Sequence, residues 1–168
     1  MEIAIEKIKP DEWSIYKEMR LEMTKNAPQA YGEAYEDIVE LTDKKWMERV
    51  SRSTSTIFVA IVDKRPAGMT GVYYPEGAKL SHVAQIWGVY VRETYRGLGL
   101  GKLLLEKIEE EIKTNTHITK IKLEVTSTQD AAKALYAKMG YEETGILRKE
   151  IKVGNEYFDE ILMEKMIQ

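Results

Sequence analysis

A chain of 168 residues, 43% hydrophobic and 32% charged, is sized and composed for one globular domain with a substantial core. It has no cysteine and only two histidines, His82 and His117, which excludes disulfides, thiolate catalysis, Cys-based zinc sites and a His-rich metal site. A net charge of −3 argues against nucleic acid as an obligatory partner and mildly favours an amine-bearing one.

In chain order, Ile3, Ile5 and Ile8 alternate as in a first strand, not as in a signal peptide. After Pro10-Asp11, Trp13, Tyr16, Met19 or Arg20, and Met23 follow a helical period that Asn26-Ala27-Pro28 ends. Residues 31–41 carry no decisive pattern. Thr42 is the expected N-cap of a helix reaching Val50, and residues 51–55 are a polar linker. Residues 56–62 and 67–74 read as an antiparallel hairpin turning at Asp63-Lys64-Arg65-Pro66. Past Pro75-Glu76-Gly77, a strand over 82–91 leads into the run Arg96-Gly97-Leu98-Gly99-Leu100-Gly101-Lys102. Leu100, Leu103, Leu104, Ile108 and Ile112 then mark a helix to about Lys113. A strand over 118–125, a helix over 130–139 ending at Gly140, and two strands over 141–153 and 157–166 joined by Gly154-Asn155 complete the chain. No apolar run approaches a membrane span, and the cytoplasm is the default location.

A strand, a glycine loop and a helix in that order make an anion site. Glycines tolerate conformations that bring backbone close to a ligand, and first-turn amides have no helical acceptor and carry the positive end of the dipole. A phosphate or pyrophosphate is the natural occupant. The Walker template fails, because its first glycine falls on Arg96 and its Ser/Thr on Leu103. The dinucleotide fingerprint fails because its last glycine falls on Lys102. ATP and NAD are therefore disfavoured as ligands.

The loop fits R-x-x-G-x-G, and about 35 residues later Ala132-x-x-Leu135-Tyr136-x-Lys138-x-Gly140-Tyr141 fits A-x-x-L-Y-x-K-x-G-[FY]. With these two segments in this order, the chain resembles the GNAT superfamily of acyl-CoA-dependent N-acyltransferases. The resemblance implies one α/β domain over 1–168: a mixed, mostly antiparallel sheet of about six or seven strands flanked by about four helices. It implies acetyl-CoA as co-substrate, no metal, and acetyl transfer to a primary amine by direct attack in a ternary complex. A non-catalytic CoA-binding or regulatory domain is the alternative, since both motifs would look the same.

The resemblance further implies that the amides of Gly97, Leu98, Gly99 and Gly101 hold the pyrophosphate. Arg96 and Lys102 would add charge there. The pantetheine arm would run as an extra strand along Val89, Tyr90 and Val91, with Ala132 and Lys138 of the second motif nearby. Gln129 stands where the family often carries Asn, and keeps the amide at the cost of one methylene. Tyr136 is the candidate general acid for the leaving thiolate; it also lies beside the apolar residues Ala131, Leu135 and Met139, as a core tyrosine would.

For the base, Glu124 and His82 are candidates beside a route through water and backbone carbonyls. Tyr31, Tyr35, Trp46, Tyr73, Tyr74 and Trp87 are candidate walls of an acceptor pocket, and Asp37, Glu40 or Asp159 could meet a cationic acceptor. Glu109-Glu110-Glu111 reads as a solvated helix face. The segment from Gly154 to Met163 resembles the ending of small-molecule and ribosomal-protein N-acetyltransferases of the superfamily. The last strands are the candidate edge for a homodimer.

Overall fold

Strand-forming runs separated by tight turns assemble into one sheet in the computed structural model, which describes residues 1–167. The strands are β1 (Ile3–Lys7), β2 (Ser55–Val62), β3 (Arg65–Tyr73), β4 (Val83–Val91), β5 (Lys120–Thr126), β6 (Glu142–Val153) and β7 (Glu156–Met166). Their spatial order is β1-β2-β3-β4-β5-β7-β6, and every neighbouring pair is antiparallel except β4 and β5. The helices are α1 (Trp13–Asn26), α2 (Tyr35–Ile38), α3 (Asp43–Val50), α4 (Leu100–Thr114) and α5 (Asp130–Lys138). The mixed, mostly antiparallel architecture agrees with expectation. The additional helix is α2, a single turn formed inside the patternless stretch 31–41.

Local chemistry explains the boundaries. The Thr42 hydroxyl accepts from the Lys45 amide at 3.3 Å and caps α3. The hairpin between β2 and β3 turns on Asp63 and Lys64 alone, both at positive φ (47° and 66°), so Pro66 lies inside β3 opposite Ile61, beside a register shift at Ala60/Ile61.

Both faces of the sheet are covered over β2, β3 and β4, which is why β2 reads as an unbroken apolar run. Phe58, Ala60 and Val62 face α4, while Ile57 and Val59 join Tyr16, Met19, Met23 and Trp46 beneath α1 and α3. On α4 the buried stripe is Leu100, Leu104, Ile108 and Ile112, flanked by Leu105, each side chain contributing about 1.5–3 kcal/mol of burial. Leu103, expected in that stripe, is 36% exposed, because its position turns it to the outer side of the helix. No helix among the described residues is long and apolar enough to cross a membrane.

The Glu109-Glu110-Glu111 run is not uniformly solvated. Glu110 is exposed, but Glu109 is buried, accepting from the Tyr141 hydroxyl at 2.9 Å and from Lys165 Nζ at 2.8 Å, and Glu111 pairs with Lys7 at 2.9 Å. A helix turn every 3.6 residues sends adjacent carboxylates to different faces.

Candidate active site

The parallel pairing of β4 with β5 is short. Only Val83–Gln85 and Lys120–Lys122 are in register, and beyond them the strands part. Farther along, β4 bulges: Gly88 and Val89 stand opposite the single residue Thr70 in β3, and Gly88 takes a left-handed φ of 63°. In this stretch the Arg92 amide donates to the Ala67 carbonyl of β3. The alternation of strand backbone therefore turns Val89 and Val91 away from β3 and toward the opening. Their carbonyls accept from Tyr31 Oη at 3.1 Å and from Arg96 Nε at 3.3 Å.

The result is a cavity of about 70 Å³ that crosses the sheet. Ala132 and Tyr136 of α5 line it from the α4 side, Ala30 and Tyr31 from the α1 side, and Glu124 and Gln129 from β5 and the start of α5. At one end of β4, the chain makes a short 3-10 turn over Glu93–Tyr95 and enters the glycine loop. Gly97 and Gly99 have φ of 83° and 76°, so conformation demands glycine there, and a Cβ on either would meet nothing within 4 Å. Gly101 does a different job, since its Cβ would sit 3.2 Å from the Leu135 side chain, so α4 packs close on α5 there. The first helical bond of α4 runs from the Leu103 amide to the Gly99 carbonyl. Among the described residues the amides of Gly97 to Lys102 have no backbone acceptor, which leaves a cluster of donors at the positive end of a fifteen-residue helix.

The family model "Acetyltransferase (GNAT) family" matches residues 13–141. The chain belongs to the GNAT acetyltransferase family. A [ribosomal protein bS18]-alanine N-acetyltransferase of Salmonella typhimurium is 32% identical over 80 residues, 48% of this chain; the chain spans about half (53%) of that relative. Solved structures share the fold over almost the whole chain. An acetyltransferase of the GNAT family from Streptococcus pneumoniae superposes with a TM-score of 0.87 at 20% identity, covering 99% of this chain and 100% of the other. A ribosomal-protein-alanine N-acetyltransferase from Brucella melitensis gives 0.82 at 20% identity over 98% and 99%. A putative acetyltransferase from Salmonella typhimurium, solved with its cofactor acetyl-CoA, gives 0.84 at 16% identity over 100% and 95%.

The family's acetyl donor, acetyl-CoA, suits what this GNAT chain offers. Its pyrophosphate matches the unpaired loop amides, and its narrow amide-bearing arm matches an exposed strand edge. Arg96 and Lys102 are exposed beside the loop, Lys102 in an i,i+4 pair with Glu106 at 3.3 Å. Leu98 is exposed at the loop's tip, and Lys138 is exposed on α5. Tyr90 sits apart from the others: its backbone is in register with Met69 of β3, and its buried phenol donates to Glu22 at 2.9 Å.

Tyr136 is 5% exposed and belongs to the main core, edge-on to Tyr141 with centroids 6.1 Å apart. Burial raises its pKa above the ordinary phenol range, so it stays protonated. Ala131, expected in the apolar stripe of α5, is exposed; Ala132, Leu135 and Met139 pack on the core instead. The Tyr31 phenol is likewise raised by burial, with Tyr136 and Tyr90 adding to the effect.

The two base candidates part company. Glu124 lines the cavity, on the strand face opposite Leu123 and Val125. His82 does not: it precedes β4 at the end where β4 and β5 are still paired, exposed to solvent, with its carbonyl accepting from the Thr119 and Lys120 amides. Six residues of strand separate it from Gly88, roughly 20 Å. Beside Glu124, Glu160 of β7 is 8% exposed, and its pKa is raised by burial and by Glu124 and Glu150, with Glu124 also in hydrogen-bond reach.

Among the aromatic walls, Tyr31 and Tyr35 line a second cavity of about 600 Å³ together with the β6–β7 turn. Tyr73 and Trp87 line a third, and the Trp87 ring lies directly on Gly71, where a Cβ would come within 2.3 Å of it. Trp46 is fully buried core. Tyr74 packs on the opposite face, its pKa pushed up to about 12 by burial and by Glu111. Asp37 is exposed in α2 and Glu40 just after it, and Asp159 caps the bulge of β6 by accepting from the Lys149 amide at 2.8 Å. Sequence reasoning missed Glu33, which bridges Arg20 at 2.5 Å and Arg49 at 2.8 Å, and it missed Glu160. Glu33 lies in the patternless stretch, and Glu160 meets Glu124 only because β7 inserts between β5 and β6.

Proposed function

We propose that the chain is an acetyl-CoA-dependent N-acetyltransferase acting on a primary amine by direct attack within a ternary complex. The observation that carries this reading is the cavity through the split sheet, lined by Tyr136 on one face and by Tyr31 and Glu124 on the other, beside a loop of unpaired amides. Acetyl-CoA, when bound, supplies an acetyl group activated as a thioester. The loop amides, with Arg96 and Lys102, hold the pyrophosphate, and Val89 and Val91 hold the arm in the opening. Gln129 and Ala132 border the arm from α5.

The acceptor enters from the α1 face, where Glu124, directly or through water, takes the proton that its ammonium must lose. As the new C–N bond forms and the C–S bond breaks, Tyr136 gives its phenolic proton to the departing sulfur. A phenol kept neutral by burial is a standing donor, and its hydrogen bond strengthens as charge grows on sulfur, so it acts on the transition state more than on the bound substrate.

Calorimetric titration with acetyl-CoA, with ATP and NADH as controls, tests the donor side. One-site micromolar binding of acetyl-CoA alone is expected, and its absence would remove the assignment. An amine panel reading released thiol then tests transfer. An alanine-terminated peptide belongs in it because of the ribosomal-protein-alanine relative, beside amino acids, polyamines and aminoglycosides. Tight donor binding with no acetylated amine would favour a regulatory acyl-CoA-binding domain instead.

A further inference from the structure

The cavity shared by Tyr73 and Trp87 lies on the α1 face of the sheet, has a volume of about 200 Å³, and is completed by Tyr16, Arg49, Arg52 and Ser55. Its electrostatics run against the net charge of the chain. Arg49 is fixed over the Trp46 ring at 5.2 Å and paired with Glu33, and that same Glu33 also answers Arg20, whose guanidinium lies 5.4 Å from the Trp87 ring. Arg52 has no ion-pair partner among the described residues. Two guanidinium groups, those of Arg49 and Arg52, thus line a concave, partly buried surface with aromatic walls and no carboxylate in its lining, and the one carboxylate that answers Arg49 is shared with Arg20.

Trp87 lines both this cavity and the opening through the sheet. Two residues of β4 separate it from Val89, roughly 7 Å along the strand.

Resting on the transferase reading above, we propose that this cavity binds a carboxylate of the acceptor. The acceptor is therefore an amine whose acid group lies about 7 Å or more from the reacting nitrogen, as in an ω-amino acid or a short acidic peptide. Guanidinium groups recognise carboxylates through paired N–H donors, and Arg49, already held by Glu33 and Trp46, loses little freedom in doing so. A diamine of the same length would meet like charge.

The test compares 5-aminopentanoate with 5-aminopentanamide and 1,5-diaminopentane, in wild type and in Arg52→Ala, which replaces an exposed side chain and leaves the Glu33 network alone. Released thiol gives kcat/KM, and Trp fluorescence in the presence of CoA gives binding without turnover, with Trp87→Phe identifying the reporter. The carboxylate should be preferred over the amide at least tenfold, and Arg52→Ala should collapse that preference through KM while the KM for acetyl-CoA holds. Equal use of amide or diamine, or a preference indifferent to Arg52→Ala, overturns the proposal while leaving the transferase reading intact. Arg52-dependent carboxylate binding without acetylation of any amine supports the cavity and sinks the transferase reading instead.

Discussion

The two sides of the split sheet are made of different material. The side we propose for the donor is backbone: six consecutive amides from Gly97 to Lys102 and the strand edge at Val89 and Val91. The side we propose for the acceptor is side chains, with Tyr16, Tyr31, Glu33, Arg49, Glu124 and Glu160 drawn from five separate stretches of the chain. Backbone sites suit what all members of a family share, under our proposal a pyrophosphate and an amide arm. Side-chain sites differ from one chain to the next, and they hold the information about the acceptor.

The largest effect expected from breaking the donor side comes from Gly99→Asp. The carboxylate would stand where the anion belongs, in a conformation that costs a residue with a Cβ about 1–2 kcal/mol. Acetyl-CoA affinity should fall at least about 100-fold, roughly 2.7 kcal/mol, with the circular dichroism spectrum unchanged because a Cβ at Gly99 touches nothing. Calorimetry showing intact affinity would put the donor elsewhere. Tyr136→Phe comes next, at the meeting of the two sides. Loss of a proton donor should lower kcat by about 10²-fold with acetyl-CoA affinity held; equal losses in both would make Tyr136 a packing residue.

A smaller effect probes what holds Tyr136 in place. Tyr141→Phe removes the hydroxyl that donates to buried Glu109 and leaves that carboxylate with lysines alone, Lys165 at 2.8 Å and Lys113 at 3.9 Å. The expected cost is about 1–2 kcal/mol, or roughly 2–8 °C in thermal midpoint for a chain of this size. The edge-on contact of ring 141 with Tyr136 survives the change. Stability should therefore drop more than kcat, and a melting curve that does not move would mean Glu109 is satisfied without the phenol.

These contrasts explain what was legible in the sequence. Element order and the cofactor loop were readable because each rests on residues adjacent in sequence: alternation for strands, a period of 3.6 for α4, and glycines at fixed spacing. Leu103 and Glu109 were misread for a common reason. Composition says that a run is apolar or acidic, while helix phase, which shifts by 100° per residue, decides which member faces the core. His82 stands just ahead of β4, at the end where β4 and β5 are still paired, and where that pairing stops, at Gln85, is not written in the local sequence. Glu33 and Glu160 had no local signal at all; Glu33 meets arginines of α1 and α3, and the neighbours of Glu160 lie on the strands to either side of β7.

The last contrast is within the acceptor side and is the smallest in size. Glu160 is buried beside Glu124 and Glu150, and its carboxyl binds its proton more tightly when folded than the ordinary carboxylate near pH 4.5. Between the ordinary value and the raised one, the folded chain holds more protons than the unfolded chain, so stability falls as pH rises through that window. Glu160→Gln keeps the shape, removes the titration, and should gain stability relative to wild type as pH climbs from 4 to 7, read as the difference between thermal midpoints at each pH. Glu124→Gln removes one of the charges that raise Glu160 and should flatten the same slope, but it should also lower kcat, which Glu160→Gln should do less. A pH-independent difference in midpoint would mean that Glu160 is already ionised in the folded chain and its charge answered by water. In that case neither burial nor the neighbouring carboxylates would hold a proton on Glu160.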